Sequence, residues 1–191
     1  MRSLIKTCLC AIFLLLAAPM AALSAFGRFN VPFYFFAQCC ALVPSILGDY
    51  LRICYFSLTL TRSDLSSRVQ LGSSFSHPQA IIAGSIYIGS FCVLGRVDIG
   101  ERTQNSPGVM IPSGKRQHSR ASGGSLESSN LDHFETISIG ADCWIGTGAV
   151  ILAPVGAQST IDAGAVVVKP VPPGVTAVGN FARILDSKES S

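Results

Sequence analysis

A six-residue repeat in the second half of the sequence restricts the folds that this chain can adopt. Between Ile137 and Arg183, an aliphatic residue followed by a small residue returns every six positions. The units are Ile139-Gly140 and Ile145-Gly146 and, after a four-residue slip at Ile151, Val155-Gly156 and Ile161-Asp162. Repeats of this length are typical of a parallel β-helix, in which each flat side holds one short strand per coil. The aliphatic residues point inward, and glycine suits the corners because it adopts positive φ without steric cost.

The same spacing begins earlier in the chain, with Ile82, Ile88 and Leu94 six residues apart, and it is interrupted once. The segment 117–136 has few aliphatic residues and many Ser, Gly and charged residues, which predicts a loop extruded from one coil. A loop of this length in a compact fold is usually functional. The sequence therefore predicts an all-β domain over residues 69–185, followed by a polar tail at 186–191.

The N-terminal segment, residues 1–48, is strongly apolar and is predicted to be helical. It has no charged residue from Thr7 to Gly27 or from Phe29 to Gly48, and a helix of about 20 such residues can cross a bilayer. Three interpretations remain: a cleaved signal peptide, a membrane hairpin, and a segment that lies on a membrane or packs between subunits without spanning. The hairpin is favoured because cations flank it at both ends, although Arg28 in the turn opposes it. The flanking cations are Arg2 and Lys6 before the first run and Arg52, Arg62 and Arg68 after the second.

Residues 49–68 form an amphipathic connector whose periodicity does not decide between helix and strand. It is expected either at the membrane face or at the base of the β-helix.

Composition limits the kinds of binding partner that this chain is expected to have. A net charge of +3 gives no reason to expect nucleic acid. The seven cysteines form no CxxC pair and are expected to be reduced packing residues. The apolar residues Val93, Val97 and Val150 are expected to face outward and to need cover, which a closed three-fold ring of subunits would supply.

Three motifs resemble the hexapeptide-repeat acyltransferases. They are the coils ending in IGTGAVIL and IDAGAVVVKPVPPG, the closing string VGNFAR, and the string IPSGKRQH at the start of the extruded loop. Their order and spacing are most similar to the galactoside, maltose and nodulation-factor O-acetyltransferases, while the apolar N-terminus looks like that of membrane-associated exopolysaccharide acetyltransferases. The resemblance implies a left-handed parallel β-helix, a homotrimer and acetyl-CoA as acyl donor. It implies acetyl transfer to a sugar hydroxyl on an exopolysaccharide or lipopolysaccharide intermediate, at the cytoplasmic side of a bacterial inner membrane or in the cytoplasm.

The resemblance makes His118 the catalytic residue. A sugar hydroxyl is a poor nucleophile at neutral pH, and an imidazole can take its proton during attack on the thioester and then protonate the leaving thiolate.

The resemblance also assigns residues to the two substrates. The acetyl-CoA contacts are expected at Trp144, Thr147, Ala163, Val168, Lys169 and Arg183. Phe181 replaces the proline of the family's closing motif, so the loop that carries Arg183 is expected to differ. The acceptor contacts are expected at Lys115, Arg116 and His133.

Three alternatives stay open. A serine or amine acetyltransferase of the same fold lacks support because the serine enzymes' His-Gly-Val-Thr string is absent. A β-helical scaffold without catalysis would make His118 incidental. A carbonic-anhydrase-like zinc protein would use His77, His118 and His133, whose spacings of 41 and 15 residues do not resemble that family.

Overall fold

The computed structural model describes residues 2–114, 125 and 134–185, and for residues 2–5 the backbone alone. Three helices come first: α1 (Arg2–Leu23), α2 (Asn30–Ala41) and α3 (Ser45–Thr59). Within the described residues, they are followed by sixteen short strands. The helices, here called the helix layer, pack against one end of the stack of coils that the strands build.

The strands form three sheets, and each coil contributes one strand to each sheet in turn. Sheet A contains β1 (Arg62–Ser63), β4 (Ile81–Ile82), β7 (Val97–Ile99) and β10 (Ile137–Ile139). Sheet B contains β2 (Arg68–Val69), β5 (Tyr87–Ile88), β8 (Gln104–Asn105), β11 (Trp144–Ile145), β13 (Thr160–Ile161), β15 (Thr176–Val178) and β16 (Arg183–Ile184). Sheet C contains β3 (Ser74–Phe75), β6 (Val93–Leu94), β9 (Met110–Ile111), β12 (Val150–Ile151) and β14 (Val166–Val167).

All pairings between coils are parallel, and single bridges at Val155 and Val171 continue sheet A into the fifth and sixth coils. The last strand, β16, instead pairs antiparallel with β15 and ends the stack. The result is the parallel β-helix that the repeat predicted, with five coils and part of a sixth.

The aliphatic hexad positions fill the interior. Ile82, Ile99, Ile111, Ile145 and Ile161 are all buried completely. Neighbouring residues in the strands point outward, because side chains alternate across a strand.

Two positions depart from the predicted pattern. Val97 faces the interior rather than the surface, because β7 has three residues and Asp98 between the two apolar ones takes the outward place. Asn105 occupies an aliphatic position inside the core, and both polar atoms of its side chain lack a partner within the described residues.

The β-helix begins seven residues earlier than predicted, at Arg62 rather than Val69. The start of the first coil does not show the repeat, because Arg62, Ser63 and Ser67 stand where the second coil has Ile81, Ile82 and Ile86. The connector is the helix α3, which starts at Ser45 rather than Asp49, and it lies at the base of the β-helix. The tail 186–191 lies outside the described residues.

α3 closes the apolar interior of the first coil. The ring of Phe56 meets that of Phe75 in β3 edge to face, with centroids 4.9 Å apart. Tyr55 packs on Phe33 of α2 and donates its hydroxyl to the carbonyl oxygen of Phe33 at 2.9 Å. These contacts provide the cover that a coil needs at its open end.

One buried cation joins the helix layer to the coils. Arg52 is completely buried and donates to the carbonyl oxygens of Cys40 (2.9 Å), Val43 (2.7 Å) and Val69 (2.9 Å). It also pairs with Asp49 at 2.7 Å. Burial lowers the pKa of its guanidinium, and the hydrogen bond and charge of Asp49 oppose that shift. Arg52 therefore adds a charged donor at the C-terminal end of α2 and links it to β2 through the carbonyl oxygen of Val69.

All seven cysteines lie in the described part of the chain and are free. Cys40, Cys54, Cys92 and Cys143 are buried, whereas Cys8 and Cys39 are exposed and so are not the packing residues that the sequence predicted. Burial raises the pKa of Cys40 and of Cys54 to about 12, which keeps both thiols protonated.

Candidate functional site

The extruded loop leaves the stack between β9 and β10, at the corner where sheet C passes to sheet A. The predicted site residues Lys115, Arg116, His118 and His133 lie outside the described residues. Both ends of the loop are described, and the N–H of Glu135 donates to the carbonyl oxygen of Ser113 at 3.1 Å. The loop therefore starts and finishes at one point of the coil, which fixes its base next to the residues described below.

A cavity of about 190 Å³ lies at this base, against the outer face of sheet C. Its lining combines apolar side chains with a histidine and two serines, as small-molecule sites commonly do. The lining residues are Ser76, His77, Val93, Gly95, Met110, Ile111, Pro112 and Ser113.

His77 is held firmly in that cavity. Its Nδ1 lies 2.8 Å from the hydroxyl oxygen of Ser76, and its ring meets Phe134 edge to face at 5.0 Å between centroids. Burial, and secondarily the charge of Arg96, lowers the pKa of His77. At neutral pH the ring is therefore an uncharged imidazole, in which one nitrogen donates a hydrogen bond and the other accepts one.

Arg96 connects the cavity to the loop base. Its guanidinium lies 5.7 Å from the centroid of the Phe134 ring and donates to the Phe134 carbonyl oxygen at 3.4 Å. The buried Nε–H of Arg96 has no acceptor among the described residues. Arg96 thus places a cation at the edge of the cavity, and its Nε–H is available to bind a ligand.

A second feature is a column of glycines at the corner between sheets B and C, here called the B/C corner. Gly108, Gly148 and Gly164 occupy equivalent turn positions in the third, fourth and fifth coils, with φ of +73°, +69° and +68°. The coils are joined there by hydrogen bonds from Gly148 N–H to Pro107 and from Gly164 N–H to Thr147. A Cβ placed on Gly148 or on Gly164 would meet no atom within 4 Å.

The corner between sheets A and B shows that the backbone does not require glycine here. The equivalent turn positions at this A/B corner hold Ser85, Arg102, Asp142 and Gln158, with φ between +57° and +60°. Side chains are therefore tolerated at this conformation, so backbone geometry alone does not explain the glycines of the third, fourth and fifth coils at the B/C corner. An open track alongside three coils suits an extended ligand that lies close to the backbone.

The predicted cofactor residues Trp144, Thr147 and Ala163 lie beside this track. Thr147 and Ala163 are exposed at the B/C corner itself, in the turns that contain Gly148 and Gly164. Trp144 stands on the outer face of sheet B with 59% of its surface exposed, and its indole Nε1–H donates to the hydroxyl of Ser106 at 3.2 Å. Phe91, in the second coil, ends the track with its ring turned down over Gly72.

Three other predicted cofactor residues lie elsewhere. Val168 and the exposed Lys169 follow β14, at the corner where sheet C passes to sheet A, so one protomer does not bring them to the B/C corner. Arg183 is on β16, which extends sheet B beyond β15.

Sequence reasoning missed the cavity at the loop base and the contrast between the corners. No sequence pattern links His77, Arg96 and Phe134, because they come together only when the ends of the loop close onto the coil. The glycine column had a visible signal, since Gly108, Gly148 and Gly164 recur where the A/B corner places larger residues. Within the described residues, no three His, Cys, Asp or Glu side chains are grouped to hold a metal.

No protein-family model and no curated protein matches this sequence. Among solved structures, the chain is similar to a maltose O-acetyltransferase from Clostridium difficile 630, with a TM-score of 0.59 and 20% identity over 83% of this chain and 87% of that one. It is similar to the hexapeptide-repeat-containing acetyltransferase VCA0836 from Vibrio cholerae, with a TM-score of 0.58 and 22% identity over 84% of this chain and 93% of that one. It is also similar to the acetyltransferase domain of PglB from Neisseria gonorrhoeae FA1090, with a TM-score of 0.49 and 24% identity over 62% of this chain and 48% of that one. The first two likenesses confirm the fold that the motifs predicted, the left-handed parallel β-helix of hexapeptide-repeat acetyltransferases.

Proposed function

We propose that this protein is an acyltransferase that moves an acetyl group from acetyl-CoA to a hydroxyl of a sugar. The observation that carries the proposal is the glycine column at the B/C corner, beside Trp144 and in a fold shared with acetyltransferases. A pantetheine arm is long, thin and able to hydrogen-bond with backbone groups, so it fits a track that side chains leave open. Lys169 and Arg183 are cations that can meet the nucleotide phosphates.

In the proposed reaction, His118 is the general base. Its imidazole takes the proton of the acceptor hydroxyl while the oxygen attacks the thioester carbonyl carbon. Collapse of the tetrahedral intermediate breaks the carbon–sulfur bond, and the imidazolium returns the proton to the leaving CoA thiolate. No covalent enzyme intermediate forms, and the imidazole ends in its starting state.

The cavity at the loop base is the proposed acceptor site. Ser76, Ser113 and the neutral ring of His77 offer hydrogen bonds to sugar hydroxyls, while Val93 and Met110 offer an apolar floor. Lys115, Arg116 and His133 belong to the same loop and are proposed to contact the acceptor from above. Because the N-terminal segment is strongly apolar, the acceptor is proposed to be an exopolysaccharide or lipopolysaccharide intermediate that carries a lipid.

A homotrimer would complete the site. The track lies at the B/C corner and the loop base at the next corner, with the outer face of sheet C between them. Exposed Val93 and Met110 on that face need cover. Packing the loop of one protomer against the B/C corner of its neighbour would bury these side chains and join donor and acceptor. Lys169 would then face the neighbour's track.

The N-terminal apolar segment would hold the enzyme at the cytoplasmic side of a membrane, where a lipid-linked acceptor and cytoplasmic acetyl-CoA meet. α1 contains an 18-residue apolar stretch, Lys6–Leu23, with a mean hydropathy of 2.0.

The test is the release of free CoA from acetyl-CoA by purified protein with a panel of saccharides. His118→Ala should lower turnover about 10²- to 10⁴-fold, the usual effect of losing a general base, and should leave CoA binding and the melting temperature unchanged. Equal turnover in the variant and the parent would remove the catalytic claim.

The donor track has its own test with a matched control. Gly148→Asn should weaken CoA binding at least about ten-fold, because asparagine tolerates positive φ and its side chain would fill the track. Gly174→Asn changes a glycine of similar φ, +72°, that also has open space around it but lies at the A/B corner. Calorimetric titration with CoA should show a loss in the first variant alone, and equal affinities would place the donor elsewhere. Absence of any CoA binding would favour a non-catalytic scaffold.

A further inference from the structure

We propose that the helix layer lies flat on a membrane surface that contains anionic lipids, with a cation-lined cavity at its edge receiving a lipid phosphate. The proposal deepens the membrane part of the proposed function and does not depend on its chemistry.

α1 is fixed across the end of the β-helix at both of its own ends. Near its start, Lys6 lines a cavity together with Ser66 and Ser67 of the first coil. Just after its end, Gly27 lies against Thr59 and against Pro78, where the first coil passes to the second. A helix with both ends on the same coil does not project away from it.

The middle of α1 packs on α3. The ring of Phe13 stacks on Tyr50 with centroids 5.9 Å apart, and the thiol of Cys54 lies 3.7 Å from the carbonyl oxygen of Cys10. Since α3 is fixed to the first coil by Arg52, the whole layer has one orientation relative to the coils.

The other two helices are too short to cross a bilayer. α2 has 12 residues and α3 has 15, whereas a span needs about 20. The second apolar run is divided between them, because the chain turns at Pro44. The geometry therefore favours a layer in the membrane surface over the hairpin that the sequence predicted.

The outer side of the layer is an apolar surface. Of the eighteen large hydrophobic side chains that are exposed in the described residues, twelve lie between Ile12 and Leu47. Among them, Leu15 is 76% exposed, Val31 82% and Leu42 77%. Arg28 is the one charged residue between Thr7 and Gly48. So many exposed apolar side chains in one short segment indicate an interaction site rather than ordinary solvent-exposed structure.

Charge at the edge of the layer favours a lipid surface over a second copy of the chain. The cavity next to Lys6 has a volume of about 280 Å³ and combines the cations Lys6 and Arg68 with Ser66 and Ser67. Its remaining walls include Ile46 and other apolar residues that continue into the exposed surface. A lipid with an anionic headgroup and an acyl chain matches these cavity walls, which pass from cationic to apolar residues.

The acidic residue in the cavity does not repel an anion there. Asp49 already pairs with Arg52 through one oxygen and with Arg68 through the other, each at 2.7 Å. The cations nearby outnumber the carboxylates, with Lys6, Arg52, Arg62 and Arg68 against Asp49 and Asp64. The same charges would repel each other across a layer-to-layer dimer.

The first experiment measures binding of the full chain to vesicles by co-flotation, with phosphatidylcholine alone and with phosphatidylcholine containing phosphatidylglycerol. Anionic vesicles should bind the protein more tightly. Lys6→Gln should weaken binding to anionic vesicles about five-fold, the effect of one basic residue at such a surface, and should not change binding to neutral ones. Arg102→Gln is the matched control, since it removes the same charge from an exposed pair with Asp142 in the coils.

Leu15→Glu should reduce binding to both kinds of vesicle more than about ten-fold, because it places a charge in the apolar surface. Indifference of the parent protein to vesicles would overturn the proposal, as would equal effects of Lys6→Gln and Arg102→Gln. Vesicle-independent dimers that Leu15→Glu dissociates would instead assign the surface to a second copy. Release of CoA with a soluble acceptor is measured separately. A failure of the proposed acetyl transfer can therefore be told apart from a failure of the proposed membrane binding.

The second experiment separates a flat layer from a span by quenching with brominated lipids. In a Trp144→Phe background, tryptophan is introduced as Leu15→Trp or as Leu23→Trp. A flat layer places both at a similar depth of about 5–10 Å. A spanning α1 would put position 15 near the bilayer centre and position 23 near its surface, which would overturn the flat orientation.

Discussion

The coils and the helix layer hold together by different means. In the coils, each level repeats the same inward aliphatic positions and the same parallel hydrogen bonds, so no single side chain is essential to the rest. The helix layer depends on one buried cation, Arg52, which bonds to the end of α2, to Asp49 in α3 and to Val69 in β2. The comparison suggests that a repeated structure distributes its stability, whereas the element that terminates it concentrates stability in a few contacts.

The largest expected effect comes from removing the cation. Arg52→Ala should lower the free energy of unfolding by about 3–5 kcal/mol, because it removes the donor to the carbonyl oxygen of Val69 and leaves one oxygen of the buried Asp49 without its cation. Arg102→Ala removes a solvent-exposed ion pair and should cost less than about 1 kcal/mol. Urea denaturation of both variants checks the difference, and similar losses would contradict the contrast between layer and coils.

Truncating one core side chain in a coil should destabilise the protein less than removing Arg52. Ile99→Ala removes a completely buried side chain in β7 and should cost about 2–5 kcal/mol, toward the lower end if adjacent coils relax into the space. Val93→Ala, at a position that is 45% exposed, is the control and should cost much less. A loss from Ile99→Ala greater than that from Arg52→Ala would mean that the coils, too, depend on single residues.

One substitution should stabilise the coils. Asn105 has Ile88 and Ile145 as neighbours in register on sheet B, yet its buried amide has no partner among the described residues. Asn105→Val should raise the free energy of unfolding by about 1–3 kcal/mol because it removes that unsatisfied group. Asn105→Asp should do the opposite. Thermal melting monitors both, and destabilisation by valine would show that Asn105 has a role the described contacts do not reveal.

The smallest expected effect concerns pH. Because the folded-state pKa of His77 lies below its ordinary value of 6.5, protonation favours the unfolded chain. Above about pH 6.5, His77 should therefore not lower the free energy of unfolding. As pH falls through that value toward the folded-state pKa, His77 should lower the free energy of unfolding progressively. Unfolding measured across this range in the parent and in His77→Gln should show a steeper acid loss in the parent, and parallel curves would contradict the assignment.

The sequence predicted the coils well and the layer poorly, for a physical reason. Inward aliphatic residues such as Ile145 recur at a fixed period, and the period alone defines the fold. The sequence pattern predicts Arg52 as a cation on the cytoplasmic side of a membrane segment, but it is completely buried and structural. Nothing periodic distinguishes a buried cation from an exposed one, so only the tertiary contacts reveal its role.

The candidate site was predictable in part. Trp144, Thr147 and Ala163 do lie together beside the glycine column, because their positions follow directly from the repeat. Val168 and Lys169 do not join them within one protomer, and the role of His118 stays a prediction. The pairing of His77 with Phe134 depends on where the loop returns to the coil, which composition does not determine.

The glycine column also separates the ability to fold from the ability to act. Since Asp142 and Gln158 show that larger residues adopt the same turn at the A/B corner, a single base change at Gly148 or Gly164 would leave an intact spiral and, if acetyl-CoA binds there as proposed, would block its site. Relatives with a side chain in that column would then be expected to keep their shape and lose their chemistry, becoming inert spacers or binding proteins in one evolutionary step.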